Sequence, residues 1–120
     1  FDLIIEDLFS EKDGEPVPAI AANGVWFSQL LKNLTKEGVI VRNFVDKNEL
    51  KNCSALTSKV VGKKFHSIFQ LTTVFNENCV GAFVRNKVTS QQLRKRLINT
   101  PGLNPALKTS RLRYQIRRLK

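Results

Sequence analysis

The sequence predicts a mainly helical domain with minor β-structure, and three observations lead to this prediction. Apolar residues recur at helical spacing in residues 25–36, 58–75, 89–98 and 109–120. A single β-branched run, residues 39–45, has the composition of a strand. With 120 residues, 42% of them hydrophobic, the chain is long enough for one core, and no apolar run reaches the length that crosses a membrane.

The first 23 residues form an acidic N-terminal segment. Residues 1–15 hold six acids and one base. Residues 1–9 fit both strand alternation and helical spacing, and a helix or an irregular segment is favoured. Asp13 and Gly14 suit a tight hairpin turn, but Pro16 and Pro18 weaken a paired second strand. We therefore expect a loop here, followed by a helical domain over residues 24–120.

A helix followed by a strand is predicted at the start of that domain. Trp26, Leu30, Leu31 and Leu34 form an apolar stripe over residues 25–36, and Gly38 is a typical stop signal after a helix. The strand of residues 39–45 comes next. A short helix through residue 51 should then begin at Asp46, with Glu49 completing a capping box.

The stretch of residues 58–75 is predicted to be the central core helix. Phe65, Ile68, Phe69, Thr72 and Phe75 lie at helical positions 0, 3, 4, 7 and 10. Aromatic residues at this spacing are typical of a core rather than of a base-stacking surface. His66 has no acid or cysteine near it in sequence, and it is interpreted as structural.

A pair of helices is predicted at the end of the chain. Thr89 or Ser90 is a good N-cap, and Gln92 stands at the capping-box position if Thr89 is the cap. Pro101 should stop this first helix of the pair. In the second helix, Leu112, Ile116 and Leu119 would form a stripe. This stripe should pack on the helix of residues 65–75 and on Leu93 and Leu97 of the first.

The charge of the chain is concentrated in the same region. From residue 78 to residue 120 there are eleven Lys and Arg residues and no Asp or Glu, within a net charge of +10 for the whole chain. Such a surface attracts the phosphates of nucleic acids and anionic lipid heads, with a strength that falls as salt rises. Four of the five cations from residue 111 to residue 120 are arginines, as suits forked contacts to guanine or phosphate.

Residues 89–120 resemble the helix-turn-helix half of winged-helix DNA-binding domains. Ser90-Gln-Gln-Leu-Arg-Lys-Arg-Leu97 is similar to the first helix of that motif, and Thr109-Ser-Arg-Leu-Arg-Tyr-Gln-Ile-Arg-Arg-Leu-Lys120 is similar to a recognition helix. The turn between them is longer than that of the compact motif, and residues 89–120 lack the glycine turn and β-hairpin of a wing. The resemblance implies a small helix-turn-helix or winged-helix-like domain that binds double-stranded DNA, in a sequence-specific or structure-specific manner.

The candidate binding residues follow from this resemblance and from the charge. One of two sets of residues would contact the bases, depending on the rotation of the last helix. The surrounding cations would contact the phosphates. The full set of candidate nucleic-acid-binding residues is Arg94, Lys95, Arg96, Lys108, Arg111, Arg113, Tyr114, Gln115, Arg117, Arg118 and Lys120. The two base-reading sets are Arg113, Gln115 and Arg117, or Arg111, Tyr114 and Arg118.

Other functions remain open at this point. A basic amphipathic helix also binds RNA, as in a ribonucleoprotein, or an acidic partner protein or a lipid surface. The acidic segment of residues 1–23 could itself contact a protein partner. The expected setting is intracellular, in a nucleus or nucleoid. Because the chain starts at Phe1 and contains no methionine, we expect a module of a larger regulatory or DNA-processing protein.

Catalytic and metal chemistry find no support in the sequence. It contains no glycine-rich phosphate loop, and one histidine with two cysteines does not make a zinc site. We therefore expect no enzyme activity from this chain, leaving the larger protein undecided, and no cofactor or metal. Cys53 and Cys79 are expected to be reduced and buried.

Overall fold

A mixed β-sheet of five strands dominates the computed structural model, which describes residues 1–110 and 112–120. The strands of the described chain are β1 (Leu3–Glu6), β2 (Phe9–Lys12), β3 (Glu15–Pro18), β4 (Val39–Phe44), β5 (Ser67–Thr73), β6 (Cys79–Val84) and β7 (Tyr114–Arg118). The helices are α1 (Gly24–Asn33), α2 (Lys47–Asn52), α3 (Ser54–Thr57), α4 (Lys59–Gly62) and α5 (Ser90–Ile98). Helices account for 28% and strands for 30%, so the prediction of a mainly α domain is wrong. The winged-helix resemblance is wrong for the same reason.

The order of the five strands combines parallel and antiparallel pairing. The sheet runs β1-β4-β6-β5-β7, while β2 and β3 form a separate hairpin. β1 and β4 are parallel, and all other neighbours are antiparallel. A parallel pair needs a crossover connection, and here the β2–β3 hairpin and α1 supply it.

The N-terminal segment joins the sheet, contrary to the expected helix or irregular segment. Its residues 3–6 pair with β4. The expected loop is a hairpin that turns at Asp13 and Gly14, whose φ angles of 54° and 81° are both positive, as in the tight turns that match strand twist. Pro16 and Pro18 lie on either side of Val17, which pairs with Ser10. In an antiparallel ladder, hydrogen-bonded and non-hydrogen-bonded pairs alternate. The two prolines occupy the non-hydrogen-bonded positions, where no backbone N–H is needed.

The next three elements confirm the predictions made from caps and stop signals. α1 begins after Asn23, whose side chain accepts a hydrogen bond from Trp26 N, and β4 follows Gly38. Asp46 caps α2 by accepting from the backbone N–H groups of residues 48 and 49 at 2.7 and 2.8 Å. The Glu49 carboxylate accepts from Val45 N instead of completing a capping box.

The predicted central helix of residues 58–75 is wrong. α4 covers only its start, and β5 occupies residues 67–73. Four consecutive residues from Ser67 to Gln70 are buried, because both faces of this strand are covered. A strand buried on both faces shows no alternation, so its apolar residues also fit helical spacing.

The predicted final helix is also wrong, since residues 114–118 form β7 at one edge of the sheet. Ile116 is buried opposite Leu71 of β5, whereas Leu112 remains about half exposed. Leu119 packs against the core. The expected stripe therefore does not exist as one face, because a strand places its side chains alternately on two faces.

The core lies between the sheet and the first four helices. Phe27, Phe65 and Phe83 pack edge-on or tilted, with ring centroids 5.0–5.6 Å apart. Phe44 joins them at 6.1 Å from Phe83. Gly81 makes this packing possible, because a Cβ at this position would come within 2.7 Å of the Phe44 ring. The opposite face of the sheet is covered in part by α5.

Arg42 is a buried charge within this core. Its side chain is 1% exposed, with Nη1 2.9 Å from Oε2 of the buried Glu6 and Nη2 3.4 Å from Oε1 of Glu49. The contact with Glu6 is close but off the hydrogen-bond axis, so it is an ion pair rather than a hydrogen bond. The guanidinium also lies 4.8 Å from the Trp26 ring centroid, and Nη2 donates to the Ile20 carbonyl. These contacts compensate the charge.

Candidate nucleic-acid interface

The exposed cations of the last third of the chain lie on α5, on β7 and on the segments adjoining them. We call this surface the basic flank. α5 and β7 contact each other, which brings together charges that are far apart in sequence. Lys120 is set apart because its Nζ donates to the Phe65 carbonyl. The other exposed cations, which form the basic flank, are Lys87, Arg94, Lys95, Arg96, Lys108, Arg113, Arg117 and Arg118.

α5 is held by its cap and by its apolar side. Thr89 Oγ1 accepts from Gln92 N at 3.1 Å, and Gln92 Oε1 accepts from Thr89 N at 2.8 Å, which confirms the predicted capping box. Leu93 and Leu97 are half-buried, while Lys95 and Arg96 are exposed. Arg94 Nη2 donates to the Ile116 carbonyl at 3.0 Å, so this arginine also ties α5 to β7.

β7 divides the predicted binding residues between the two faces of the sheet. Gln115 and Arg117 lie opposite Thr72 and Gln70 of β5. Tyr114 and Arg118 lie opposite Thr73 and Phe69, whose side chains point to the other face of the sheet. Gln115 and Arg117 of the first set therefore share one face of β7, and Tyr114 and Arg118 of the second set share the other, because residues two apart share a face of a strand. These four side chains project from a sheet edge rather than from a helix in a groove.

Besides Arg94, three of the predicted residues make hydrogen bonds within the protein. Tyr114 donates its hydroxyl to the Leu103 carbonyl at 2.6 Å. Lys120 Nζ donates to the Phe65 carbonyl at 2.7 Å, and Arg118 Nε donates to the Lys120 carbonyl at 2.7 Å. Tyr114 and Lys120 therefore act first as structural residues. Arg111 lies outside the described residues.

Lys87 is an exposed cation of the basic flank that the sequence analysis did not select as a candidate binding residue. It is exposed and lines a groove between α5 and the sheet together with Gln92 and Arg96. The signal that could have found it is its place in the same carboxylate-free stretch. The neighbouring Arg85 differs, because its guanidinium donates to the carbonyls of Leu34 and Thr35.

The described charged side chains of the basic flank are all positive. Across residues 1–110 and 112–120, the ion pairs within 4 Å are those of Arg42 with Glu6 and Glu49. No described cation of the basic flank thus has a carboxylate at contact distance. Surface cations that are part of a balanced exterior are usually mixed with acids, so this surface has a net attraction for polyanions.

A second polar arrangement lies at the carboxyl ends of the parallel strands β1 and β4. Asn43 Nδ2 donates to Asp7 Oδ1 at 3.0 Å, and Asn78 Nδ2 donates to Asn43 Oδ1 at 2.8 Å. The three side chains form a polar chain across three neighbouring strand ends. Asp7 is exposed at its end, so its carboxylate can accept hydrogen bonds from a ligand.

The two cysteines are free and buried, as expected. Burial raises the pKa of the Cys79 thiol to about 11 and also raises the pKa of the Cys53 thiol. Both are therefore protonated at neutral pH, and a protonated thiol is a poor nucleophile and metal ligand. Within the described residues, no group of three or more His, Cys, Asp and Glu side chains is placed to hold a metal ion.

The fold and the surface define the chain as a mixed α/β domain with a basic flank. In the part of the chain that is described, no helix has both the length and the apolar character needed to cross a membrane. Comparison with protein-family models, curated proteins and solved structures found no match.

Proposed function

We propose that this domain binds double-stranded DNA through the basic flank. The observation that supports the proposal is the gathering of eight exposed cations on α5, on β7 and beside them, without a carboxylate at contact distance among the described residues. Phosphate contacts supply much of the affinity of DNA-binding proteins. Binding does not involve a recognition helix, because residues 114–118 form a strand.

The edge strand β7 suggests how the contact is made. Residues two apart on a strand are about 6.8 Å apart, so the exposed Gln115 and Arg117 extend along the duplex from one face of β7. Arg117 and the preceding Arg113 would bind phosphates, while the Gln115 amide can donate to and accept from a base edge or a sugar. Lys95 and Arg96 would add backbone contacts from α5, which covers the other face of the sheet at the same edge. Such a role fits a protein of the nucleus or nucleoid.

The test is a comparison of three polyanions by fluorescence anisotropy or co-sedimentation. The chain is titrated with a duplex DNA of about two helical turns, a single-stranded RNA of equal length, and anionic phospholipid vesicles. We expect duplex DNA to bind most tightly, with an affinity that falls steeply with salt. Equal binding of all three, or none at moderate salt, would reject the proposal. A preference for RNA would support the ribonucleoprotein alternative instead.

A second candidate function is small-molecule binding at the carboxyl ends of β1 and β4. In open α/β sheets, ligands bind outside the carboxyl ends of the parallel strands, and acidic side chains there commonly accept hydrogen bonds from ribose hydroxyls. The polar chain of Asp7, Asn43 and Asn78 favours a ligand of this kind. Adenosine should therefore shift the amide resonances of these three residues, and Asp7→Asn should weaken the response. No shift at millimolar adenosine would remove this candidate.

A further inference from the structure

An apolar cleft of 310 Å³ lies between the β5–β6 hairpin and the segment that leads from α5 to β7. Its walls include the side chains of Leu71, Val80, Leu97 and Leu112, together with the ring of Tyr114. Binding sites for small molecules are typically clefts of this size with mostly apolar walls. At about 30 Å³ for each water-sized group, the cleft accommodates roughly ten non-hydrogen atoms.

A cationic cleft of 380 Å³ adjoins the apolar one, and Tyr114 lines both. The hydrogen bond from its hydroxyl to the Leu103 carbonyl, at 2.6 Å, fixes the position of the Tyr114 side chain. Arg94 and Gln115 line the second cleft. Arg94 Nη2 donates one hydrogen bond to the Ile116 carbonyl. A guanidinium has five N–H donors, so the other N–H groups of Arg94 can bind a carboxylate.

We propose that the two clefts together bind an amphipathic anion. Its apolar body of about ten non-hydrogen atoms lies in the first cleft, and its carboxylate or a similar head group pairs with Arg94 in the second. The charge of the lining favours an anionic ligand, because no described residue that lines either cleft is an Asp or a Glu. Arg94 belongs to the basic flank as well, but the apolar cleft plays no part in the proposed DNA binding, so the two proposals can be tested separately.

The experiment is an isothermal titration of the chain with decanoate below its micellar concentration, with decylamine and decanol as matched probes. Decanoate should bind at least about tenfold more tightly than decylamine, because the cation would be placed against Arg94. Leu112→Asn should weaken decanoate binding roughly tenfold by removing apolar wall. Arg94→Gln should reduce the preference for decanoate over decanol.

Leu107→Asn is the matched control, because Leu107 is similarly exposed on the same connecting segment but does not line the apolar cleft. It should leave decanoate binding unchanged. Equal affinity for decanoate and decylamine, or equal effects of Leu112→Asn and Leu107→Asn, would overturn the proposal. Leu112→Asn should leave duplex binding intact, and Lys95→Gln/Arg96→Gln should leave decanoate binding intact, so the failure of one proposal is distinguishable from the failure of the other.

Discussion

Arg42→Ala is expected to destabilise the protein by about 3–5 kcal/mol, because it removes one partner of a buried ion pair. Glu6 would lose a guanidinium nitrogen 2.9 Å away while its own side chain is only 9% exposed. The guanidinium contact with the Trp26 ring would be lost as well. The measurement is the free energy of unfolding from urea or guanidinium denaturation, followed by circular dichroism.

The control for Arg42 removes its charge together with that of Glu6, the more buried of its two carboxylate partners. Arg42→Met with Glu6→Gln keeps side chains of similar length and leaves no uncompensated carboxylate at residue 6. Replacing both partners of a buried pair is often neutral, so the double variant should regain most of the stability lost in Arg42→Ala. A loss below about 1 kcal/mol in Arg42→Ala, the range of exposed ion pairs, would show that this charge is not buried in solution.

Neutralising four cations of the basic flank is expected to lower the affinity for duplex DNA by at least about a hundredfold near physiological salt, if each contacts one phosphate. The reason is electrostatic, because each phosphate contact releases counterions from the DNA when the complex forms. The variant would lose the counterion release of four contacts. All four cations are exposed, so folding should be preserved, as circular dichroism would verify. The four changes are Lys95→Gln, Arg96→Gln, Arg113→Gln and Arg117→Gln.

The matched control carries the same loss of charge elsewhere on the surface. It replaces four exposed lysines of α1, α4 and their flanks, which lie outside the basic flank. These changes are Lys32→Gln, Lys36→Gln, Lys59→Gln and Lys63→Gln. We expect a much smaller effect on duplex affinity, because these lysines act only through long-range attraction, which salt screens. Equal losses in the two variants would show that net charge, and not this surface, determines binding.

Local signals in the sequence predicted the elements whose ends they determine. Thr89 with Gln92 predicted α5, Asp46 predicted α2, and Gly38 predicted the change from α1 to β4. In each case a side chain hydrogen-bonds to a helix end, or a glycine interrupts an apolar pattern. Such signals act within a few residues and do not depend on distant parts of the chain.

The elements that the sequence analysis missed depend on distant pairing. Residues 67–73 and 114–118 have apolar residues at spacings that fit a helix as well as a strand, and their pairing with each other makes both of them strands. β1 is likewise defined by its pairing with β4, which is more than 30 residues away in sequence. Propensity is a weak guide where tertiary pairing decides.

In the candidate site, too, local features were predictable from the sequence, and features that depend on distant contacts were not. The carboxylate-free stretch indicated where the positive charge lies, and the structure places nine of its described cations on the exposed surface. The use of Tyr114 and Lys120 as hydrogen-bond donors to Leu103 and Phe65 could not be predicted, because it depends on the course of β7. The polar chain from Asp7 to Asn78 also joins residues that only the sheet brings together.

The dependence of duplex affinity on salt tests the proposed interface most directly. The logarithm of the binding constant is measured against the logarithm of the salt concentration for the unmodified chain and for the four-site variant of the basic flank. If each of the four cations contacts one phosphate, the slope should become less steep by about 3.6, at 0.9 for each contact. Two parallel lines would contradict the proposal that the basic flank binds the DNA backbone.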